Sequence, residues 1–120
     1  MTVAVHKGNR LEYQICYDLE SSGLDPTARR TGIRGRRSQS PRISEPGDII
    51  TKLPFCIEAK NQENIKGFYK YWNQAVSQNI PPKSPLLIIK SNNNPALAVL
   101  DWQEFIFVLR AALKGGYPDS

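Results

Sequence analysis

The sequence predicts an α/β fold in which a central mixed β-sheet is flanked by helices, in the order α-β-β-β-α-β-β-α. Three observations lead to this prediction. Apolar residues recur every three to four positions in three separate stretches, which is the period of an amphipathic helix. Short runs rich in β-branched and aromatic residues lie between these stretches. The chain has 120 residues and no internal repeat, which fits a single domain over residues 1–120.

The first helix is expected over residues 7–22, because Leu11, Ile15 and Leu19 recur along one side of it. Cys16 lies on the same side. Glu12 is one residue round from Leu11, at the edge of this apolar stripe. We therefore expect its carboxylate to face partly inward.

Three strands are expected before the second helix, over residues 26–31, 47–52 and 55–60. The last two are joined by a tight connection at Leu53-Pro54. Residues 32–46 contain two glycines and two prolines among polar residues, which predicts a loop.

The second helix is expected over residues 64–79, where Pro81 and Pro82 follow and end it. Its predicted apolar stripe is Ile65, Phe68, Tyr69, Trp72 and Val76. Residues 85–90 form a continuous apolar run, which favours a strand covered on both faces. A further strand is expected over residues 96–100.

The third helix is expected to start after Asp101, with Glu104 completing a capping box. Its predicted apolar face is Trp102, Phe105, Ile106, Leu109 and Leu113. Gly115 and Gly116 end it, and we expect residues 115–120 to be frayed.

The composition excludes several classes of site. One histidine and two cysteines are too few for a tetrahedral zinc site, and His6 alone argues against a histidine-centred hydrolase. Cys16 and Cys56 lie in apolar patterns and are expected to be buried free thiols. Without an apolar run of about 20 residues or a secretory signal, we expect an intracellular protein with no membrane partner.

Basic residues are concentrated in one segment. Sixteen Lys and Arg against eleven Asp and Glu give a net charge of +5. Residues 27–44 contain six arginines and no acid: Arg29, Arg30, Arg34, Arg36, Arg37 and Arg42. Such a block repels itself unless an anion lies nearby, so we expect it to contact a nucleic-acid backbone together with Arg10, Lys66 and Lys70. A solvated, flexible arginine loop at about 29–44 is the alternative.

The segment 46–60 carries the candidate chemistry. If the two strands form a hairpin that turns about Leu53, Asp48 lies opposite Glu58, with Cβ atoms about 4.5–5.5 Å apart. Lys60 shares a face with Glu58 because side chains alternate along a strand. A slip of one residue in this register would separate the two acids. The opposite face then carries Ile49, Phe55, Ile57 and Ala59, which suit a core.

Two carboxylates held across neighbouring strands repel each other, and a proton or a cation must offset that repulsion. A divalent ion offsets both charges, and oxygen ligands favour Mg²⁺, with Mn²⁺ as a substitute. Glu12 and the main-chain carbonyl of Ile57 are candidates for further ligands of this ion. The expected reaction is phosphodiester hydrolysis, in which Lys60 orients or deprotonates a water molecule or stabilises charge on the phosphate.

These residues resemble the motif of the PD-(D/E)xK nuclease superfamily: Glu12, then Pro46-Gly47-Asp48, then Glu58-Ala59-Lys60. The resemblance covers roughly residues 7–110 and implies a restriction-endonuclease-like core. Size, the early helical glutamate and the arginine-rich loop look most like archaeal-type Holliday junction resolvases. The spacing from Glu12 to Lys60 is also similar to that of small phage junction-resolving endonucleases.

The resemblance implies metal-dependent cleavage of four-way or other branched DNA by a two-fold dimer. It implies that Asp48 and Glu58 bind the metal, that Lys60 is the catalytic lysine, and that Glu12 is the acid of the first helix. Gln74 matches a glutamine that some members place on the helix after the core strands. Pro46 precedes Gly47 instead of touching Asp48, which departs from the motif.

Three other functions compete with junction cleavage. The first is a sequence-specific restriction-like or homing endonuclease, or a repair nicking enzyme. The second is a non-catalytic nucleic-acid-binding module whose acids are structural. The third is a small structural or assembly protein that uses the third helix as its contact surface. For the dimer, the second helix is a candidate interface, because its aromatic residues exceed what one core stripe needs: Phe68, Tyr69, Tyr71 and Trp72.

Overall fold

The structure is a computed structural model that describes residues 3–31 and 48–115, with side chains in the first helix described from Arg10 onwards. Several predictions concern positions outside these residues. They are the loop at 32–46, the motif residues Pro46 and Gly47, and the tail at 116–120. Four arginines of the basic segment also lie outside the described residues: Arg34, Arg36, Arg37 and Arg42.

The predicted order of elements is confirmed. The three helices are α1 (Val3–Ser21), α2 (Phe68–Gln78) and α3 (Trp102–Lys114). The five strands are β1 (Arg29–Arg30), β2 (Ile49–Ile50), β3 (Phe55–Gln62), β4 (Ser84–Ser91) and β5 (Leu97–Val99). They form one sheet in the order β1-β2-β3-β4-β5. The sheet is mixed, because β3 and β4 run parallel while the other neighbours are antiparallel.

Helix α1 packs on one face of the sheet, as its apolar stripe predicts. Leu11 and Ile15 are buried against Ile49 and Ile57 of the hairpin strands. Leu19, Cys16, Phe55 and Ala59 pack around this cluster. Burying a side chain of this size contributes about 1.5–3 kcal/mol, so this contact fixes α1 over β2 and β3.

Strand β4 is covered on both faces, which confirms the interpretation of its continuous apolar run. Leu86 and Ile88 pack on the α1 side. Leu87 and Ile89 are buried on the other side, where Ala75 of α2 contacts them. Since β3 pairs with β4 in parallel with Glu58 beside Leu87, Glu58 faces the α2 side of the sheet.

The prediction for α2 was wrong in its start and in part of its buried face. Of the predicted stripe, Ile65 and Trp72 do pack against the buried cluster. The helix begins at Phe68, after Gly67 adopts a left-handed conformation with φ of 64°. The buried side is formed by Ala75, with Tyr71 and Trp72 partly buried next to it. The small Ala75 side chain lies against the sheet, and the larger side chains expected there remain exposed: Phe68, Tyr69 and Val76.

Asp101 caps α3 as predicted, whereas the Glu104 carboxylate, expected to complete a capping box, contacts β4. The helix is also less buried than its pattern suggests. The Asp101 carboxylate accepts a hydrogen bond from the Gln103 amide at 2.8 Å. The Glu104 carboxylate accepts one from the Ser84 hydroxyl at 3.1 Å, which ties α3 to β4. None of the α3 side chains is fully buried. The prediction that they form a core face was wrong for three large members, which are exposed: Trp102, Phe105 and Leu113.

Both cysteines are free thiols, as predicted. Cys56 is buried, and burial raises the pKa of its thiol to about 11. Cys16 is only partly buried. Within the described ranges, no helix has the length and apolar character required to cross a membrane.

Candidate active site

Asp48 and Glu58 bring two carboxyl groups together at the β2–β3 hairpin. Ile49 pairs with Ile57, so the paired residues are symmetric about Leu53, as the predicted register requires. Asp48 directly precedes β2 and Glu58 follows Ile57 on β3, and the two side chains are close enough for the charge of Asp48 to raise the pKa of Glu58. The Asp48 amide donates to the Ile57 carbonyl at 2.7 Å, and the Ala59 amide donates to Asp48 Oδ2 at 2.8 Å. Two backbone contacts therefore hold the Asp48 carboxylate next to β3.

The Glu58 carboxyl is in an environment that disfavours its charge. Burial raises its pKa to about 8, and the neighbouring charge of Asp48 adds to this effect, while Lys60 opposes it. Among the described atoms, Glu58 Oε2 is buried and has no hydrogen-bond partner. A buried carboxylate oxygen without a donor needs a proton or a cation. The Asp48–Glu58 pair is thus a site for a positive charge.

Lys60 lies on the same face of β3 as Glu58, and its ammonium group is held by an aromatic ring. Lys60 Nζ is 5.3 Å from the centroid of the Tyr71 ring. The Tyr71 hydroxyl donates to Gln62 Oε1 at 3.3 Å, and Lys70 Nζ lies 5.8 Å from the same ring. Tyr71 was not among the predicted site residues, because the predicted apolar stripe of α2 did not include it.

Glu12 is buried on α1, but its partner is an arginine. Arg30 Nε donates to Glu12 Oε1 at 2.8 Å in an ion pair. The Arg30 guanidinium also contacts Tyr13, with a 3.2 Å hydrogen bond to the hydroxyl and a distance of 4.8 Å to the ring centroid. Glu12 is near enough for its charge to raise the pKa of Glu58. Arg30, which we expected to contact DNA, forms an ion pair with Glu12 in this structure.

The remaining predicted site residues are the Ile57 carbonyl, Gln74 and several basic side chains. The Ile57 carbonyl accepts the Asp48 amide. Gln74 is exposed on α2, where Tyr71 is the residue that contacts Lys60. Four of the predicted DNA-contacting side chains are exposed: Arg10, Arg29, Lys66 and Lys70.

The acid pair fits a hard divalent cation. Mg²⁺ is commonly held by one or two carboxylates, with water and phosphate oxygens as its remaining ligands. Asp48 and Glu58 supply two carboxylates, one with an unpartnered buried oxygen. Over the described residues, no three acids, histidines or cysteines are grouped closely enough to hold a metal ion. The geometry therefore fits a two-carboxylate site, with Glu12 held aside by Arg30.

Comparison with known protein families adds an independent finding. Residues 4–113 match the family model described as "Phage putative PDDEXK endonuclease". The chain belongs to this family. No curated protein and no solved structure matches the chain.

Membership of the PDDEXK endonuclease family identifies the chain as a nuclease that acts on DNA. The match spans the whole described sheet, α2, and all but one terminal residue each of α1 and α3. It therefore covers the strands that carry the acid pair. It agrees with the suspected PD-(D/E)xK superfamily. The resemblance to the archaeal-type resolvases is not part of this finding.

Two residues that sequence analysis missed hold the hairpin of the endonuclease in register. Asp25 is wholly buried, and its carboxylate accepts hydrogen bonds from the Thr51 hydroxyl and from the Lys52 amide at 2.9 Å. Lys83 Nζ donates to the carbonyls of Thr51 at 2.7 Å and Leu53 at 3.0 Å. The Asp25 carboxylate thus binds hydrogen-bond donors of the turn, and the Lys83 ammonium group binds carbonyl acceptors of the same turn.

The sequence did contain an indication of the role of Asp25. The Asp25 carboxylate accepts hydrogen bonds from both the amide and the hydroxyl of Thr27, at 2.9 and 2.7 Å. An aspartate that bonds the backbone two residues later forms an Asx turn, for which Asp-Pro-Thr is a suitable sequence. Nothing local indicated that the same carboxylate would reach Thr51, which is 26 residues away.

Proposed function

We propose that this PDDEXK endonuclease hydrolyses phosphodiester bonds in branched DNA, with four-way junctions as the preferred substrate. Its cofactor is Mg²⁺, for which Mn²⁺ substitutes, held by Asp48 and Glu58. The observation that supports this proposal is the pair of neighbouring carboxyl groups at the hairpin, Asp48 and Glu58, with Lys60 on the same strand as Glu58. A proton or a cation must offset the repulsion between the two acids, and the ammonium group of Lys60 offsets one charge only.

The chemistry divides between the cofactor and the side chains of the chain. When bound, Mg²⁺ polarises a phosphoryl oxygen and lowers the pKa of a water molecule. Lys60, positioned by the Tyr71 ring, would orient the attacking water or stabilise charge on the phosphate oxygens. The Ile57 carbonyl, proposed from the sequence as a ligand, also holds the Asp48 amide.

Glu12 is proposed as a third acid of the site, acting near the acid pair. It can contribute its carboxylate only by parting from Arg30, with which it forms an ion pair. A phosphate is a suitable alternative partner for the arginine, because guanidinium groups bind phosphate oxygens in a bidentate manner. On DNA binding, Arg30 would then contact a phosphate, and the Glu12 carboxylate would become available to the candidate active site.

The substrate is held through its phosphates. The exposed cations Arg10, Arg29, Lys66 and Lys70 are proposed to contact the backbone, together with Arg34, Arg36, Arg37 and Arg42 from the basic segment of the sequence. Phosphate contacts fix position and carry no sequence information. This agrees with recognition of DNA shape. Because the proposed substrate is DNA, we propose that the protein acts inside the cell.

A four-way junction requires two coordinated cuts, so we extend the proposal to a two-fold homodimer. Helix α2 supports this extension, because Phe68, Tyr69 and Val76 are exposed on it. Aromatic residues are enriched at protein interfaces. Sedimentation of the free and DNA-bound protein tests the dimer, and a monomer in both states would refute it.

The deciding experiment compares three DNAs: a four-way junction, a linear duplex and a single strand. Each is incubated with Mg²⁺ or EDTA and with the wild type, Asp48→Asn or the control Glu20→Gln, an exposed acid of α1. We expect symmetric cuts near the branch point of the four-way junction in Mg²⁺ and no cuts in EDTA. The control variant should keep this activity, and Asp48→Asn should lose it. Cutting of linear duplex at one fixed sequence would instead identify a restriction-like enzyme. Absence of cutting with any divalent ion would refute the proposal.

A further inference from the structure

The solvent-facing side of α1 carries aromatic and amide side chains. Arg10, Tyr13, Gln14 and Tyr17 have the spacing i, i+3, i+4 and i+7, so they form one row along the helix. Tyr13 and Tyr17 are 61% and 67% exposed. Two large rings are thus presented to solvent, one helical turn apart, on the side of α1 that faces away from the core.

This row forms one wall of a groove. The groove has a volume of about 540 Å³, and its other wall is formed by Asn61 of β3, Lys90 of β4 and Asn92. Ligand sites commonly have volumes of about 300–1,000 Å³. The groove lies at the carboxyl ends of the two parallel strands, where open α/β sheets usually bind ligands.

The residues lining the groove combine three kinds of group. Arg10 and Lys90 are cations, and none of the lining residues that the structure describes is acidic. Gln14, Asn61 and Asn92 carry amides, which both donate and accept hydrogen bonds. The two tyrosines supply ring faces. A nucleotide offers a complementary set, because its phosphate binds cations, its base edge binds amides, and its base face stacks on aromatic rings.

We propose that this groove binds an unpaired segment of the DNA that the endonuclease cuts. The inference rests on the proposed function and adds to it the feature of branched DNA that is recognised. Bases in an intact duplex stack on one another and cannot offer their faces to tyrosine. Unpaired nucleotides at a branch point or in a single-stranded arm can do so.

The groove is connected to the candidate active site through Tyr13. The Tyr13 hydroxyl accepts a hydrogen bond from Arg30, and Arg30 forms the ion pair with Glu12. An unpaired strand leaving the cleaved phosphate would therefore pass Arg30 and enter the groove past Tyr13. Tyr17 lies one helical turn further and contacts the strand without taking part in the chemistry.

Binding in EDTA tests this inference without any cleavage. The probes are a fluorescent single strand of about 12 nucleotides and a duplex of equal length, read by anisotropy. The variants are Tyr17→Ala, Tyr17→Phe and the control Phe107→Ala, which removes a ring of matched exposure, 68%, from α3. Tyr17→Ala should weaken single-strand binding about fivefold or more, while Tyr17→Phe and Phe107→Ala stay within about twofold of the wild type.

Duplex binding should be the same for all four proteins, because duplex does not use the groove. The inference is overturned if the wild type does not bind the single strand, if Tyr17→Ala binds it as the wild type does, or if Phe107→Ala loses as much. These outcomes are separate from failure of the proposed function. That function fails when Mg²⁺ supports no cleavage, whatever Tyr17 does in EDTA.

Discussion

The ammonium group of Lys60 is positioned by a ring that belongs to another element. A lysine side chain has four rotatable bonds, so a catalytic lysine needs something to limit its motion. Tyr71 supplies that limit, because Lys60 Nζ lies 5.3 Å from its ring centroid, within the roughly 6 Å range of a cation–π interaction. Lys70 lies near the same ring, so the surroundings of Tyr71 favour an anion such as phosphate.

Replacing the Tyr71 ring should lower the rate of cleavage more than the affinity for DNA. Loss of a cation–π contact of about 0.5–1 kcal/mol corresponds to roughly a two- to fivefold lower kcat for Tyr71→Leu. Tyr71→Phe keeps the ring and should retain the wild-type rate. Steady-state kinetics with a DNA substrate that the wild type cleaves measure kcat and KM. The NMR chemical shifts of the Lys60 methylene protons report directly whether the ring lies beside them. Equal losses in the Phe and Leu variants would contradict the role of the ring.

Glu58 should make the metal-free protein less stable as the pH rises. Its pKa is raised from 4.5 to about 8 on folding, so between these values the folded protein binds more protons than the unfolded chain. The free energy of unfolding then falls with increasing pH, by up to about 1.4 kcal/mol per pH unit.

Urea unfolding in EDTA, at intervals from about pH 5 to about pH 8, measures this slope. Glu58→Gln should flatten it, because the amide does not titrate. The control Glu63→Gln changes an exposed acid beyond the end of β3 and should keep the wild-type slope. A wild-type slope in Glu58→Gln would show that another group is responsible.

The positions of site residues could be predicted from the sequence where these residues lie close to one another along the chain. The two-residue period of strands and a turn about Leu53 suffice to place Asp48, Glu58 and Lys60. The Glu12–Arg30 ion pair joins residues 18 positions apart, and no local period connects them. Its formation depends on how α1 and β1 approach each other, which is a property of the packed fold.

At the scale of elements, the β2–β3 hairpin depends on contacts from outside it. Strand β2 has only two residues, so its backbone hydrogen bonds to β3 contribute little to fixing the register of the hairpin. Asp25 and Lys83 bind the turn from two directions. Because a slip of one residue moves side chains to the other face of the sheet, these contacts also maintain the opposition of the two acids.

Removing Lys83 should destabilise the protein. Lys83→Met deletes the donors to the carbonyls of Thr51 and Leu53, and hydrogen bonds to charged groups contribute about 1.5–3 kcal/mol each. We expect a loss of about 2–3 kcal/mol in urea unfolding at neutral pH. Lys52→Met changes an exposed lysine of the same turn and should have little effect. Similar losses in both variants would contradict a specific role for Lys83.

Asp25 should make stability depend on acid pH with the opposite sign to Glu58. The hydroxyls of Thr51 and Thr27 hold the pKa of Asp25 well below its ordinary value. Its contribution is therefore present above about pH 4 and is lost as the pH falls toward the lowered pKa. Asp25→Asn should be less stable at neutral pH and lose less on acidification. Urea unfolding between about pH 5 and about pH 2 measures this, and an unchanged acid slope would refute it.

Helices and strands were predicted more accurately where the pattern of apolar residues in the sequence was stronger. The apolar run of β4 predicts a strand covered on both faces, and Leu86 and Leu87 indeed lie on opposite sides. Helix α2 was harder, because the helix begins at Phe68, four residues after the predicted start, and a small residue, Ala75, forms the buried contact. Large apolar side chains dominate a sequence pattern, whereas close packing can select a small one.

At the scale of the whole molecule, charge is distributed unevenly. The chain has a net charge of +5, while the candidate active site is built around two acids. DNA would be attracted by the exposed cations at long range, and the acid pair would repel its phosphates unless a cation were bound between them. Affinity for DNA should therefore depend strongly on salt.

Each phosphate contact should contribute about 0.9 to the slope of log affinity against log salt concentration. Arg29 is exposed on β1, next to Arg30 and the candidate site, so Arg29→Ala should lower the slope by about 1 and weaken binding equally for all sequences. Arg110→Ala, which removes an exposed arginine of α3, should leave the slope within its error. Anisotropy titrations of a junction in EDTA at several salt concentrations measure both slopes. If the two variants lost the same amount, binding would depend on net charge alone and not on a defined phosphate path beside β1.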